Sequence, residues 1–441
     1  MDLGFETIGN ACLICHDQGP VLATDPWIKG HAYFGSWVTS HEIPAEQLAH
    51  IKATKYLWIS HGHPDHLSPQ SLAELRDKEI LLPDHFGVHG GGRIAKDLKS
   101  QGYKVRILKD GVWTRLSERL RVLSIGDVCQ DAILLVDLGG KLLVDSNDAS
   151  DNGAGPFVKR TVAQFPEAFL LCLTGYGDAD MINFFDERGK RIPPPALKHE
   201  PFIDGIEEIL SAFGIRYYVP FSSQHRYQRT DSAWANECAT PIEVYRTSFR
   251  SPDRVMLPAF CRYDLRKNEA QPINPPARPD VLHEPEEFGD NWSDELEPGD
   301  LDLIRAYFDK NEHLRTFLGF VNFRVGGKDN TIDVNPAFDL GITFETPRAS
   351  LMAVIEYEIF DDLLIGNYTK TTLHGPWKKQ GTAALYPDFN PFVAKYGDNG
   401  GARSPAELEA YFAEYKRRGF FGFPEHAAGQ EMKRALGPYL S

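Results

Sequence analysis

A layered α/β sandwich is the architecture this sequence predicts, and three features of it carry the prediction. Apolar runs of strand length alternate with segments of helical spacing, which is the grammar of a sheet covered by helices. Several of those runs stop abruptly at a histidine or an aspartate. The densest stop is Ser60-His61-Gly62-His63-Pro64-Asp65-His66-Leu67, directly after Tyr56-Leu57-Trp58-Ile59, where three histidines and an aspartate fall within six positions. Polar groups delivered from strand ends onto one sheet edge are how a rigid scaffold builds a site from distant sequence.

Composition bounds the answer. At 441 residues, 42% hydrophobic and 25% charged, the chain is an ordinary globular protein with room for two domains. A formal net charge of −15 opposes a nucleic-acid backbone or an anionic membrane as the main partner. There is no apolar run of about 18 residues or more. The start Met1-Asp2-Leu3-Gly4-Phe5-Glu6 has no basic or apolar leader character, so the expected location is the cytoplasm. The six cysteines are accordingly read as free thiols. Cys12-Leu13-Ile14-Cys15-His16 matches the spacing of c-type haem attachment, but that attachment belongs outside the cytoplasm, and the two thiols are read as small apolar residues.

Taken in order, residues 1–25 read as a hairpin turning at Asp17-Gln18-Gly19 and ending in Thr24-Asp25-Pro26-Trp27. Asp25 either accepts a hydrogen bond from a metal-bound imidazole or closes an Asx-turn before Pro26. Tyr33, Phe34 and Trp37 sit in an irregular stretch that either lines a substrate cleft or forms a satellite core. Pro44 to Ala53 reads as a helix leading into the strand before the motif. In extended backbone His61 and His63 share a face, and Pro64 bends the chain so that Asp65 and His66 face a second point. That is a ligand set for two metals. Imidazoles with a carboxylate and no thiolate suit an open hydrolytic or oxygen-activating site better than a closed structural zinc.

Beyond the motif, Ser68-Pro69 is a helix start, Ile80 to Pro83 a strand, and Gly90-Gly91-Gly92-Arg93 a turn into a helix over 94–102. The glycines fit neither the P-loop nor the dinucleotide fingerprint; His85 and His89 are candidates for the pocket wall. Strands are expected at 104–108, 121–125, 132–136, 141–144 and 215–221. Three of these run out into Gly126-Asp127, Asp145-Ser146-Asn147-Asp148 and Ser222-Ser223-Gln224-His225. Helices are expected at Thr161 to Phe169 and Phe202 to Phe213. Residues 266–300 carry six prolines and no periodicity, which marks a linker after a catalytic domain over 1–265. Residues 301–441 then form a smaller α+β unit, with helices over 301–317 and 406–418, and strands at 321–325, 332–334 and 350–360.

The pattern His61-x-His63-x-Asp65-His66 resembles the signature of the metallo-β-lactamase fold family. That resemblance implies an αββα sandwich in which His61 and His63 serve a first metal, Asp65, His66 and His225 a second, and Asp148 bridges them, with Asp25 supporting a ligand from behind. The family's third histidine on the first metal has no counterpart. Counting back from Ala132, Asp127 stands in its place, with Asp131 the runner-up, unless Asp127 is merely a turn acid after Gly126. A carboxylate there moves the preference from zinc toward iron or manganese.

The run Ile359-Phe360-Asp361-Asp362-Leu363-Leu364-Ile365-Gly366, with the Asp25-Pro26-Trp27 start, is similar to the catalytic region of CMP-N-acetylneuraminate hydroxylases. The resemblance implies a non-haem di-iron oxygenase hydroxylating a small polar metabolite, with two metal ions as cofactors, iron ahead of zinc or manganese. The Cys-x-His and Cys-x-x-His pair of a Rieske cluster does not occur, so electrons are expected from a separate protein. The alternative is a metal-dependent hydrolase of an ester, lactone or phosphodiester. The second alternative is a non-catalytic binding protein on an inherited fold.

Overall fold

The computed structural model describes residues 1–85, 93–149, 154–173, 183–377, 385, 388–393 and 401–418. Two large sheets lie face to face. The first runs Glu269–Pro272, Cys261–Asp264, Leu3–Ile8, Cys12–Asp17, Pro20–Thr24, Tyr56–Trp58, Glu79–Pro83, Lys104–Leu108; the second runs Val255–Met256, Tyr217–Phe221, Ala168–Leu173, Lys141–Asn147, Ala132–Leu138, Leu120–Gly126, Thr114–Arg115.

Strand periodicity sorts the side chains into layers. Phe5, Leu13, Leu22 and Trp58 of the first sheet meet Val122, Leu134, Val136 and Phe169 of the second in the central core. Their alternates face outward and are covered as well. Ile14, Ala23, Leu57 and Ile80 pack with Ile51, Ala95 and Leu98 from the helices Ala45–Ala53 and Arg93–Ser100. Leu123, Leu135, Val144 and Leu170 pack with Val158, Ile206 and Leu210 from the helices Gly155–Val162 and Ile203–Phe213. The result is an αββα sandwich, and burial on both faces is why these strands read as continuous apolar runs. Cys15 lies in the central layer and Cys12 in the outer one, both as free buried thiols.

Several expected elements differ: the helix expected over 301–317 is Asp300–Asp309 followed by a separate turn at Glu312–Thr316, and the stretch read as a linker over 266–300 supplies the strand Glu269–Pro272 to the first sheet. The helix near 161 ends at Val162, and Ala168–Leu173 is a strand: Pro166 supplies no N–H to continue a helix, and the apolar run after it enters the second sheet. Residues 350–360, read as a strand from their Val, Ile, Tyr and Phe content, belong to the helix Arg348–Tyr357, where Leu351, Val354 and Ile355 bury one face at three- and four-residue spacing.

A five-stranded sheet forms the C-terminal part, in the order Phe184–Phe185, Lys370–His374, Gly341–Glu345, Phe320–Val325, Lys328–Asp333. Its outermost strand, Phe184–Phe185, comes from the sequence between the sandwich strands and pairs in parallel with Thr371 and Thr372. Buried Arg229 ties the same regions together. Its guanidinium donates to Asp290 at 2.7 Å and to the Phe34 carbonyl at 2.8 Å, and lies 4.0 Å over the Tyr368 ring. Among the described residues no helix is long and apolar enough to cross a membrane.

Candidate metal centre

The cleft opens where the strands ending at Thr24, Trp58, Asn147 and Phe221 run out. At these ends Asp25, Asn147, Ser222 and Ser223 adopt left-handed backbone with φ of 37°, 34°, 54° and 58°. Non-glycine residues hold that conformation at a cost and only when their surroundings over-determine it. For Asp25 the surroundings are visible: its carboxylate accepts from the Ser60 amide (2.8 Å), the Ser60 hydroxyl (2.7 Å) and His66 Nδ1 (2.9 Å).

This network fixes imidazole tautomers. Ser60 Oγ donates to Asp25, so it accepts from His61 Nδ1 at 2.8 Å, and the lone pair of His61 is left on Nε2. His66 donates through Nδ1 to Asp25 and turns Nε2 toward two carboxylates. Burial opposes its charge, but Asp65, Asp148 and Asp25 outweigh it and raise the imidazole well above its usual range, so a metal at Nε2 would replace a proton. Nε2 lies 3.1 Å from Asp148 Oδ2 and 3.3 Å from Asp65 Oδ2, with a hydrogen-bond geometry to neither. Asp65 is held by the Tyr33 hydroxyl at 2.7 Å and the Asn10 amide at 2.9 Å, and Asn10 also accepts from the Gln224 amide beside His225. His225 stacks flat on Trp37, ring centroids 3.4 Å apart, and its buried Nδ1 finds no hydrogen-bond partner among the described residues. Nor does the buried Oδ1 of Asp148.

Tyr33, Trp37, His61, His63, Asp65, Asp131, Asp148, Leu173, Ser223, His225 and Ile365 enclose a cleft of about 180 Å³. A larger, mostly apolar cavity of about 640 Å³ adjoins it, sharing Asp148 and Leu173. Of the aromatic stretch at 33–37, Tyr33 and Trp37 line the cleft and also belong to a satellite core, whereas Phe34 packs against the C-terminal core.

Asp127 is not among the cleft residues. Its Oδ1 accepts from the amides of Cys129 and Asp131, each at 2.9 Å, so its carboxylate organises the turn between two strands of the second sheet. The residue that this turn carries toward the motif is Asp131, 3.5 Å from His61 Nδ1. Counting along a strand does not tell which acid of a tight turn faces which way. His85 is buried against Gly126 rather than in the cleft wall, and His89 lies outside the described residues.

Sequence reasoning gave Asp361 no role at the site. It opens the short helix Asp361–Ile365, and its Oδ2 lies 3.1 Å from His63 Nε2. Ile365 of the same turn closes the cleft. Only the unusual Asp361-Asp362 pair within an apolar run hinted at it.

Charge follows from this geometry. Burial opposes the charge on Asp148, but His66 outweighs it and pulls the carboxyl down to about 2. Burial likewise opposes a proton on His63, and Asp361 outweighs it, raising the imidazole to about 9. His61, under burial and beside His66 and His63, is pushed well below the usual imidazole range. Burial takes His225 down to about 4. His61 Nε2 and His63 Nδ1 lie 2.9 Å apart. Two lone pairs at that distance need a proton or a cation between them, and buried polar atoms without partners are those a ligand would satisfy. The donor set of imidazoles and carboxylates fits first-row metals.

The αββα layering, with ligand-type residues at its strand ends, is the architecture that the metallo-β-lactamase resemblance implies. No protein-family model matches the chain. Among curated proteins it is similar to the cytidine monophosphate-N-acetylneuraminic acid hydroxylase of Asterias rubens, 28% identical over 152 residues that cover 33% of this chain and 23% of that protein. It is also similar to the protein of that name from Danio rerio, 23% identical over 419 residues, covering 81% of this chain and 67% of that one. Among solved structures it overlaps CmlA, a diiron β-hydroxylase from Streptomyces venezuelae, at a TM-score of 0.36 and 12% identity, covering 62% of this chain and 54% of that one.

Proposed function

We propose that the chain is a dinuclear metal-dependent enzyme, favoured as a di-iron oxygenase that hydroxylates a small polar metabolite. His61 Nε2 and His63 Nδ1 would hold the first metal, Asp65, His66 and His225 the second, and Asp148 would bridge, with Asp131, which lines the cleft, taking the place considered for Asp127. The observation that carries the reading is that His225 and Asp148 line one cleft, with His66 Nε2 3.1 Å behind Asp148, and that each of the three has a buried polar atom without a hydrogen bond among the described residues. The hydroxylase preference is supported by the similarity to the Danio rerio protein, which covers 81% of this chain and so reaches into the C-terminal part.

An iron pair would supply reduction of dioxygen, and a zinc pair would supply Lewis acidity and a water of lowered pKa. The chain's own residues do the positioning. Asp25 and Ser60 hold the proton of His61 on Nδ1; Tyr33 and Asn10 stop Asp65 from rotating; Trp37 fixes the plane of His225. Tyr33, Trp37 and Ile365 wall the cleft against bulk water. Hydroxylation of R–H with dioxygen consumes two electrons and two protons and yields R–OH and water, so a separate electron-transfer protein is the implied partner.

Hydrolysis of an ester, lactone or phosphodiester is the second reading, favoured by the number of imidazoles at the cleft, a donor type that suits zinc. Oxygen separates the two. Protein loaded with iron, reduced and exposed to dioxygen should consume it and change its visible spectrum, while zinc-loaded protein stays inert. Full turnover of an ester or phosphodiester by zinc-loaded protein without oxygen would overturn the oxygenase and leave the hydrolase.

A further inference from the structure

We infer that Asp361 is the positioning residue of His63, so that the C-terminal unit is a working part of the metal centre. The inference rests on the metal reading above for its consequence, and on the His63–Asp361 contact for its existence.

Imidazole can offer a lone pair from one ring nitrogen only if the other carries the proton, and a metal-binding histidine is held in the right tautomer by an acceptor on that far nitrogen. At His66 the acceptor is Asp25, and at His61 it is Ser60 backed by Asp25. Both supports come from the sandwich. His63 takes its own from elsewhere: Nε2 faces Asp361 Oδ2 at 3.1 Å, and Nδ1 faces His61 Nε2 at 2.9 Å. With Nε2–H donated to Asp361, Nδ1 is the nitrogen turned toward His61 Nε2, and it is the atom a shared metal would engage in place of the proton between them.

The segment bearing Asp361 is bolted at both ends. Phe360, Leu363 and Leu364 are buried in the C-terminal core. Ile365 packs in the cluster of Trp27, Tyr33, Trp37 and Tyr227. Ser36 Oγ donates to the Gly366 carbonyl at 2.5 Å, and the Asn367 amide donates to the Tyr227 hydroxyl at 2.9 Å. Asp361 therefore arrives at His63 on a rigid turn shared by two cores, which is how a supporting acceptor achieves precision.

The test uses the full chain with histidines labelled with ¹⁵N, comparing wild type with Asp361→Ala and Asp361→Asn. In metal-free protein held above about pH 9, where His63 is neutral, its ring-nitrogen shifts should show Nε2 protonated in wild type, a mixture of tautomers in Asp361→Ala, and an intermediate state in Asp361→Asn, which keeps an acceptor oxygen. Titrated with cobalt(II) against a competing chelator, Asp361→Ala should bind one of two ions about 10- to 100-fold more weakly, the other unchanged. Asp361→Asn, close in shape, keeps the test valid if the alanine variant folds poorly. An unchanged His63 tautomer in both variants would overturn the inference. Absence of cobalt binding by wild type, with the tautomer still dependent on Asp361, would instead refute the metal reading and leave the positioning contact standing.

Discussion

Among the described residues three groups of histidine and acid converge, and two of them, His61-His66-Asp148 and His63-Asp361-Asp362, adjoin at the cleft, while the group around Glu6 does not line it. Glu6, His16 and His50 converge within coordination distance of one another, as do His61, His66 and Asp148. In the first, Glu6 Oε2 contacts His16 at 3.0 Å and His50 at 2.7 Å, while Oε1 accepts from Gln47 at 3.1 Å and Arg262 Nε at 2.7 Å. The guanidinium already supplies the positive charge that a cation would bring. In the second, the facing groups leave a nitrogen of His66 and an oxygen of Asp148 unsatisfied beside a cleft. The same residue types build a structural ion network or a ligand set according to whether a protein cation closes the shell.

The largest effect that would break this comparison is expected at Asp148. Asp148→Asn keeps the size but removes the charge that would offset two cations, and turnover should fall at least about a hundredfold, since a metal centre supplies several kcal/mol of transition-state stabilisation. Steady-state rates on protein of matched metal content check it. A variant with normal turnover would remove Asp148 from the bridge.

Next comes Glu6→Gln, which leaves Arg262 and two histidines facing a neutral amide. Breaking a buried pair costs about 3–5 kcal/mol, and Arg262 keeps Glu46, so about 3 kcal/mol by urea unfolding is expected, with metal content unchanged. Loss of metal from Glu6→Gln would erase the distinction between the clusters.

The pH dependence sharpens the same point. Burial opposes the charge on Glu6, but His16 and Arg262 outweigh it and hold the carboxyl well below its usual 4.5. Its contribution is fully present above that value and is lost as pH falls through the lowered one. Burial lowers His16 below its usual 6.5, so stability also declines with acid from there. Wild-type stability should therefore fall on acidification below about 6.5 and more steeply below about 4.5, and Glu6→Gln should flatten the steeper limb. Thermal melts of metal-free protein across this range measure it.

The smallest effect distinguishes two neighbouring acids. Asp127→Ala should cost about 1–3 kcal/mol through the two amides it leaves unpaired, with metal affinity kept. Asp131→Asn should do the reverse, altering cobalt affinity with little change in stability.

What could be read from the sequence divides along physical lines. The motif at 61–66, the strand ends at 148 and 225, and Asp25 before Pro26 were legible because ligand-type residues interrupt apolar runs that a buried strand requires. The outer αββα layers were legible for the same reason. Contacts that depend on tertiary closure were not: Asn10 and Tyr33 reach Asp65 from an unremarkable turn and an aromatic loop, and Asp361 meets His63 across nearly three hundred residues. At 350–360 strand-type residues sit in a helix because burial spacing, not propensity, decided the element.

Metal stoichiometry by elemental analysis, after loading and gel filtration, tests the central distinction most directly. Wild type and Glu6→Gln should each retain close to two ions per chain, and the His61→Ala/His63→Ala double variant should lose metal while keeping its far-ultraviolet circular dichroism. Two ions retained by the double variant, or none in wild type, would contradict the assignment of the cleft as a metal centre.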